Sequence, residues 1–117
     1  MSKRNEILLV QDMHESISAI EIFLVDYTEE DFYRDRKTKD AVVRNLEIIG
    51  EASNQLSKKF KEKNSNIPWR EAADLRNKII HDYAGIDYKM LWVIIQKDLP
   101  ILKLQLEDLI ANITTTS

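Results

Sequence analysis

The stretch "DAVVRNLEIIGEASNQLS", Asp40 to Ser57, decides the fold. Within it Val42, Leu46, Ile49, Ser53 and Leu56 recur at alternating spacings of four and three. That is the period of one face of an α-helix, and a strand would alternate every second residue instead. Phe60 continues the stripe, so the spacing predicts a helix from Thr38 or Asp40 to about Phe60. Gly50, Ala52 and Ser53 are small, which allows another helix to come close. Gly50 lowers intrinsic helix propensity, so packing is its reason for being there.

Working outward, the same rhythm covers most of the chain. Leu9, Met13, Ile17, Ile20, Leu24 and Tyr27 predict a first helix over about 3–27. Thr28 can cap a short segment, "EEDFYRD", with Asp31 three residues on. The stretch "KEKNSNIP" breaks the second helix and reads as a loop. Pro68 suits the first turn of a third helix, Trp69 to Ile80 or His81. In "DYAGID", Gly85 suits a helix terminus and Asp87 can cap a fourth helix. Leu91, Ile95, Leu99, Leu102, Leu106, Leu109 and Ile113 line that helix, and Pro100 should kink or split it near Leu99. The tail "TTTS" is expected to fray. Long amphipathic helices with short connections imply an all-α, antiparallel four- to five-helix bundle, with residues 1–117 as one domain. Only 2 Gly and 2 Pro occur, too few for a turn-rich all-β fold.

Composition narrows the function. Hydrophobic residues at 44% and charged residues at 32% suit a globular protein. Without Cys there is no disulfide framework and no thiolate metal site. No apolar run approaches the roughly 20 residues that span a bilayer. Asp12 and Glu15 follow the first apolar run too soon for a signal peptide, so a cytoplasmic protein is expected. The net charge is −3, so any nucleic-acid role must rest on a local patch. The candidates are Arg34, Arg36, Lys37, Lys39 and Arg44, and then Lys58, Lys59, Lys61 and Lys63. From charge pattern alone, both runs read first as solvated helix ends. With 2 His, no Gly-rich phosphate loop and no nucleophile elbow, no metal or cofactor is expected. His14 reads as a surface residue.

The third helix breaks its own pattern in "LRNKIIHDY", Leu75 to Tyr83. Ala72, Arg76, Ile79 and Tyr83 share a stripe, which places Arg76 where the core should be. Such a charge needs a partner or an opening to solvent. Glu51 is the candidate partner, and a structural Arg–Glu pair stands beside an anion-binding Arg as the two readings. His81 follows Asn77 by four residues and shares a face with Asp74 and Lys78. It is either a cation at a helix C-terminus or an acid–base group. Arg76 and His81 are roughly 140° apart on an ideal helix. They converge only if the helix ends at His81 or a second subunit completes the site. A two-fold dimer could gather two Arg and two His around one cleft.

Arg76, His81 and Tyr83 form R-x4-H-x-Y, and with Asn77 the form R-N-x3-H. This resembles the motif of HEPN domains. The blocks "LLVQDMHESI", "DAVVRNLEIIGEASNQLS", "IPWREAADLRNKIIHDYAGID" and "LWVIIQKDLPIL" resemble the HepT-like branch along nearly the whole chain. The resemblance implies an all-α homodimer, or higher oligomer, with its motif helices at a shared cleft. It implies the toxin of a type VII toxin–antitoxin pair and a metal-independent endoribonuclease that cleaves RNA, tRNA or mRNA included. Arg76, Asn77 and His81 would be its catalytic residues. The implied partner is an MntA-type nucleotidyltransferase antitoxin that transfers AMP to Tyr83. Two other readings are a non-catalytic nucleotide-binding or partner-docking module, and a plain structural bundle.

Overall fold

In order along the chain, the elements are α1 (Lys3–Phe23), α2 (Glu29–Arg34), α3 (Arg36–Gln55), α4 (Lys58–Lys63), α5 (Trp69–Ile80), α6 (Tyr88–Val93), a π-helical segment (Ile94–Asp98) and α7 (Leu99–Thr115). The structure, a computed structural model, describes residues 3–80 and 85–115. Among the described residues there is no strand, and no helix is long and apolar enough to cross a membrane. The protein is all-α, as its periodicity requires.

The stripes become the core. Met13, Ile17 and Ile20 of α1, Val42, Leu46, Ile49 and Ser53 of α3, and Leu91, Leu99, Leu102 and Leu106 further on are all buried. At roughly 1.5–3 kcal/mol for each large apolar side chain, this burial dominates the forces favouring the fold. α3 lies between α1 and α5, and α7 packs on α1. Their order is antiparallel. Glu6 near the start of α1 meets Ser57 just past α3. His14 and Glu21 of α1 meet Glu107 and Lys103 of α7. The Lys103 ammonium is held above its ordinary pKa chiefly by its hydrogen bond to Glu21.

Caps set the element ends. Thr28 and Asp31 form a reciprocal capping box on α2. Asp35 caps α3 at Thr38, so α3 begins at Arg36, slightly earlier than its apolar stripe suggests. Asp87 caps α6 by accepting from the Met90 amide at 3.0 Å. α1 ends at Phe23, short of Tyr27, and the chain turns through Asp26 at φ 63°. Leu24 and Tyr27 still pack against the core from that turn.

One expectation changes. The helix predicted to reach Phe60 stops at Gln55, and a separate α4 runs to Lys63 where a loop was expected. Ser57 makes the break by accepting from the Phe60 amide, while its own N–H and hydroxyl donate to the Glu6 carboxylate. At the other site, the α-helix is split next to Leu99 as expected from Pro100, and the split takes the form of a π-helical segment, Ile94–Asp98. The Leu99 amide reaches back five residues to the Ile94 carbonyl. A wider turn relieves the clash of the proline ring with the preceding turn and leaves the apolar stripe intact.

Candidate functional site

At Gly50, α3 and α5 approach closely. A Cβ there would lie 3.1 Å from the Arg76 amide nitrogen and 3.2 Å from both the Ala72 carbonyl oxygen and the Arg76 Cβ. Any side chain at this position would require α5 and α3 to part by a few tenths of an ångström. One turn on, the buried Ser53 hydroxyl donates to the Trp69 carbonyl at 2.7 Å. The Trp69 indole N–H donates to the Asn64 carbonyl at 3.0 Å, and its ring lies against Phe60. The first turn of α5 is therefore fixed on two sides.

This seating directs the polar residues of α5 outward. Leu75 takes the core position beside Ala72 and Ile79, and Arg76 is exposed. The expectation of Arg76 within the core is thus corrected. It lies at the edge of the stripe, with its backbone and Cβ against Gly50 and its charge in solvent. The proposed Glu51 partnership is also corrected: Glu51 is exposed and accepts from Gln55 Nε2 at 3.4 Å. Among the described residues Arg76 forms no ion pair.

Beside Arg76 runs an open groove of about 600 Å³ lined by Gly50 and Asn54 of α3 and by Arg70, Glu71, Ala73, Asp74, Arg76 and Asn77 of α5. Asn77 Nδ2 donates to Asp74 Oδ1 at 3.4 Å, as their shared face predicts. His81 and Tyr83 lie outside the described residues. Sequence reading missed Arg70 and Asn54. Arg70 was legible, because Arg70, Asp74 and Asn77 follow the four-and-three spacing. Asn54 was not, since only the seating of α5 brings α3 to that groove.

The other histidine lies near the surface, as expected, but is engaged there. His14 is partly covered, and its Nε2 lies 2.8 Å from Glu107 Oε2. That contact, chiefly its hydrogen bond, holds the Glu107 carboxyl below its ordinary pKa. His14 therefore joins α1 to α7, on different elements from the Arg76 groove. Among the described residues no group of His, Asp and Glu is arranged to hold a metal ion.

Chemically, the groove offers two guanidinium groups for phosphate oxygens and amides and carboxylates for the edges of nucleobases. Known proteins give it a context. A family profile described as "Ribonuclease HepT-like" matches residues 13–109. The chain is 45% identical over 107 residues to a "Probable ribonuclease HepT" of Thermococcus cleftensis, covering 92% of this chain and 97% of that one. It is 42% identical over 107 residues to a provisionally named RNase of Methanocaldococcus jannaschii, covering 92% and 98%. No solved structure matches the chain significantly. An all-α architecture, an R-N-x3-H stretch that begins at Arg76 of α5 and a match over most of its length make this chain a member of the HepT-like ribonuclease family of the HEPN superfamily.

Proposed function

We propose that this protein is a metal-independent endoribonuclease and the toxin of a type VII toxin–antitoxin pair, acting in the cytoplasm. The carrying observation is that Arg76 and Asn77 stand exposed on a groove wall and that Arg76 forms no ion pair among the described residues. Residues 1–117 act as one HepT-like domain, and two copies join with their motif helices at a shared cleft. This dimer overcomes the angular separation of Arg76 and His81.

In the reaction, an RNA 2′-OH attacks its adjacent phosphorus. His81 of one copy accepts the hydroxyl proton, and His81 of the second copy protonates the departing 5′ oxygen. The products are a 2′,3′-cyclic phosphate and a 5′-OH. Arg76 stabilises the charge developing on the phosphoryl oxygens. Asn77, held by Asp74, orients the phosphate or His81. Tyr83 contacts the RNA and is the residue to which a nucleotidyltransferase antitoxin of the MntA type transfers AMP. The added anion occupies the cleft and competes for Arg76.

The test is cleavage of cellular RNA, tRNA included, by purified protein in chelator. Cleavage that persists in chelator and disappears in Arg76→Ala and His81→Ala supports the reading. Wild-type protein that halts growth yet cuts no RNA sinks it. For the antitoxin step, co-expression with the partner should add mass in AMP units, lost in Tyr83→Phe. The net charge of −3 favours a second reading, a non-catalytic nucleotide-binding or docking module. In that case His81→Ala stays fully toxic.

A further inference from the structure

The two basic runs of the sequence have different fates. In the first, Arg34 pairs with Glu30, Arg36 with Asp40, and the Lys39 ammonium sits 4.5 Å from the centre of the Tyr88 ring. Most of that run is engaged within the molecule. The second run forms α4, "KKFKEK", with four lysines and one glutamate in six residues. Lys58 reaches Glu62 at 3.9 Å. Among the described residues Lys59, Lys61 and Lys63 form no ion pair. Lys59 and Lys63 are exposed and four residues apart, so they share a face and repel each other. Such a pair is relieved when an anion sits between or beside its members.

α4 is nonetheless firmly placed. Glu6 holds its N-cap residue Ser57, Phe60 lies against Trp69 with ring centres 6.0 Å apart, and the Asn64 carbonyl just past Lys63 takes the Trp69 indole N–H. Lys63 and Arg70 directly flank that Asn64–Trp69 bond in sequence. The C-terminal end of α4 is thereby tied to the first turn of α5, which carries Arg70. Arg70 lies about 9 Å along the α5 axis from Arg76.

We propose that Lys59, Lys63 and Arg70 form a phosphate-binding extension of the Arg76 groove, which holds a single RNA strand on the Trp69 side of the cleavage point. This rests on the ribonuclease reading for the identity of the ligand. It gives an acidic protein a local cationic surface for RNA: Lys59, Lys63 and Arg70 are exposed and form no ion pair among the described residues. A mobile phosphate backbone follows such a track without base recognition, so this part of the surface is indifferent to sequence.

The test combines Lys59→Gln, Lys63→Gln and Arg70→Gln in the full-length protein, with circular dichroism confirming the fold. Binding of a labelled single-stranded RNA of about 12 nucleotides is followed by fluorescence anisotropy across a salt series. His81→Ala in all samples prevents cleavage during binding. The expected result is an affinity loss of about tenfold or more, with a salt slope flatter by about 2 for three lost phosphate contacts. A Lys37→Gln, Arg44→Gln control should bind as the parent does. In the His81-containing protein the triple variant should raise KM while leaving kcat near the wild-type value. Affinity within twofold of the parent, or an equal loss in the control, overturns the proposal and leaves α4 as a solvated surface or a site for an acidic protein. Cleavage is read separately. If the parent binds RNA through these residues but wild type cuts none, the nuclease reading falls and the track stands. If wild type cuts while the triple variant binds normally, the track falls and the nuclease reading stands.

Discussion

Gly50 of α3 carries the backbone of Arg76 of α5: a methyl group on Gly50 would stand 3.1 Å from the Arg76 amide nitrogen. The contact fixes the position from which the guanidinium leaves the helix. Replacing Gly50 with Ala gains roughly 1 kcal/mol of helix propensity and loses a comparable amount to the tight contact. Stability should change by less than about 1 kcal/mol in thermal melts. Gly50→Val should cost about 1–3 kcal/mol, since neither backbone can withdraw without parting the helices. Both variants should cut RNA more slowly than their stability accounts for, because α5 and Arg76 are displaced. A Gly50→Val protein with a wild-type melting temperature would show that the contact is not tight.

Arg76→Ala separates a structural from a functional role. Arg76 is exposed and forms no ion pair among the described residues, so the loss should stay within about 0.5 kcal/mol by urea denaturation. Removing one half of a buried ion pair would cost about 3–5 kcal/mol instead. RNA cleavage should nevertheless fall about 100-fold or more. A large stability loss in this variant would restore the buried-pair reading.

The Ser53 hydroxyl is fully buried and donates to the Trp69 carbonyl at 2.7 Å. Ser53→Ala should lower stability by about 1 kcal/mol, or roughly 4 °C in melting temperature for a domain of this size. A Ser53→Ala protein that melts at the wild-type temperature would mean that this bond adds nothing net.

Asp35 gives stability a defined acid dependence. Its carboxylate accepts from the Tyr27 hydroxyl at 2.5 Å and from the Thr38 hydroxyl and amide. Tyr27 is the largest cause, and together these bonds lower its pKa from 3.8 to about 2. The folded-state pKa is depressed, so the contribution is complete above the unfolded value. It is lost as pH falls through the range from about 4 to about 2. Asp35→Asn should flatten the stability profile in that window, and Tyr27→Phe should move the loss to higher pH. Parallel wild-type and Asp35→Asn profiles between pH 5 and 2 would contradict this.

The helical stripes were legible because burial follows period: Met13, Ile17, Val42, Leu46, Leu102 and Leu106 all fall where their spacing puts them. Thr28, Asp35 and Asp87 cap their helices because short polar side chains satisfy free amides locally. The break at Ser57 was less legible, since it depends on Glu6, 51 residues away. Arg76 was misplaced because the stripe of Ala72, Ile79 and Arg76 has two edges, and spacing alone does not say which edge faces a neighbour. Leu75 on the other edge took the buried place.

By itself, the sequence determined an all-helical chain, its apolar faces, the caps at Thr28 and Asp87 and the R-N-x3-H stretch that begins at Arg76. Those features depend on residues within a turn or two of one another, where spacing and side-chain chemistry suffice. Tertiary structure decided that Arg76 leaves the core, that Glu51 is not its partner, and that Asn54 and Arg70 share its groove. It also decided which basic run keeps its charges unengaged. These outcomes depend on how far one helix sinks onto another, and here Gly50 and Ser53 set that depth through contacts between residues distant in sequence.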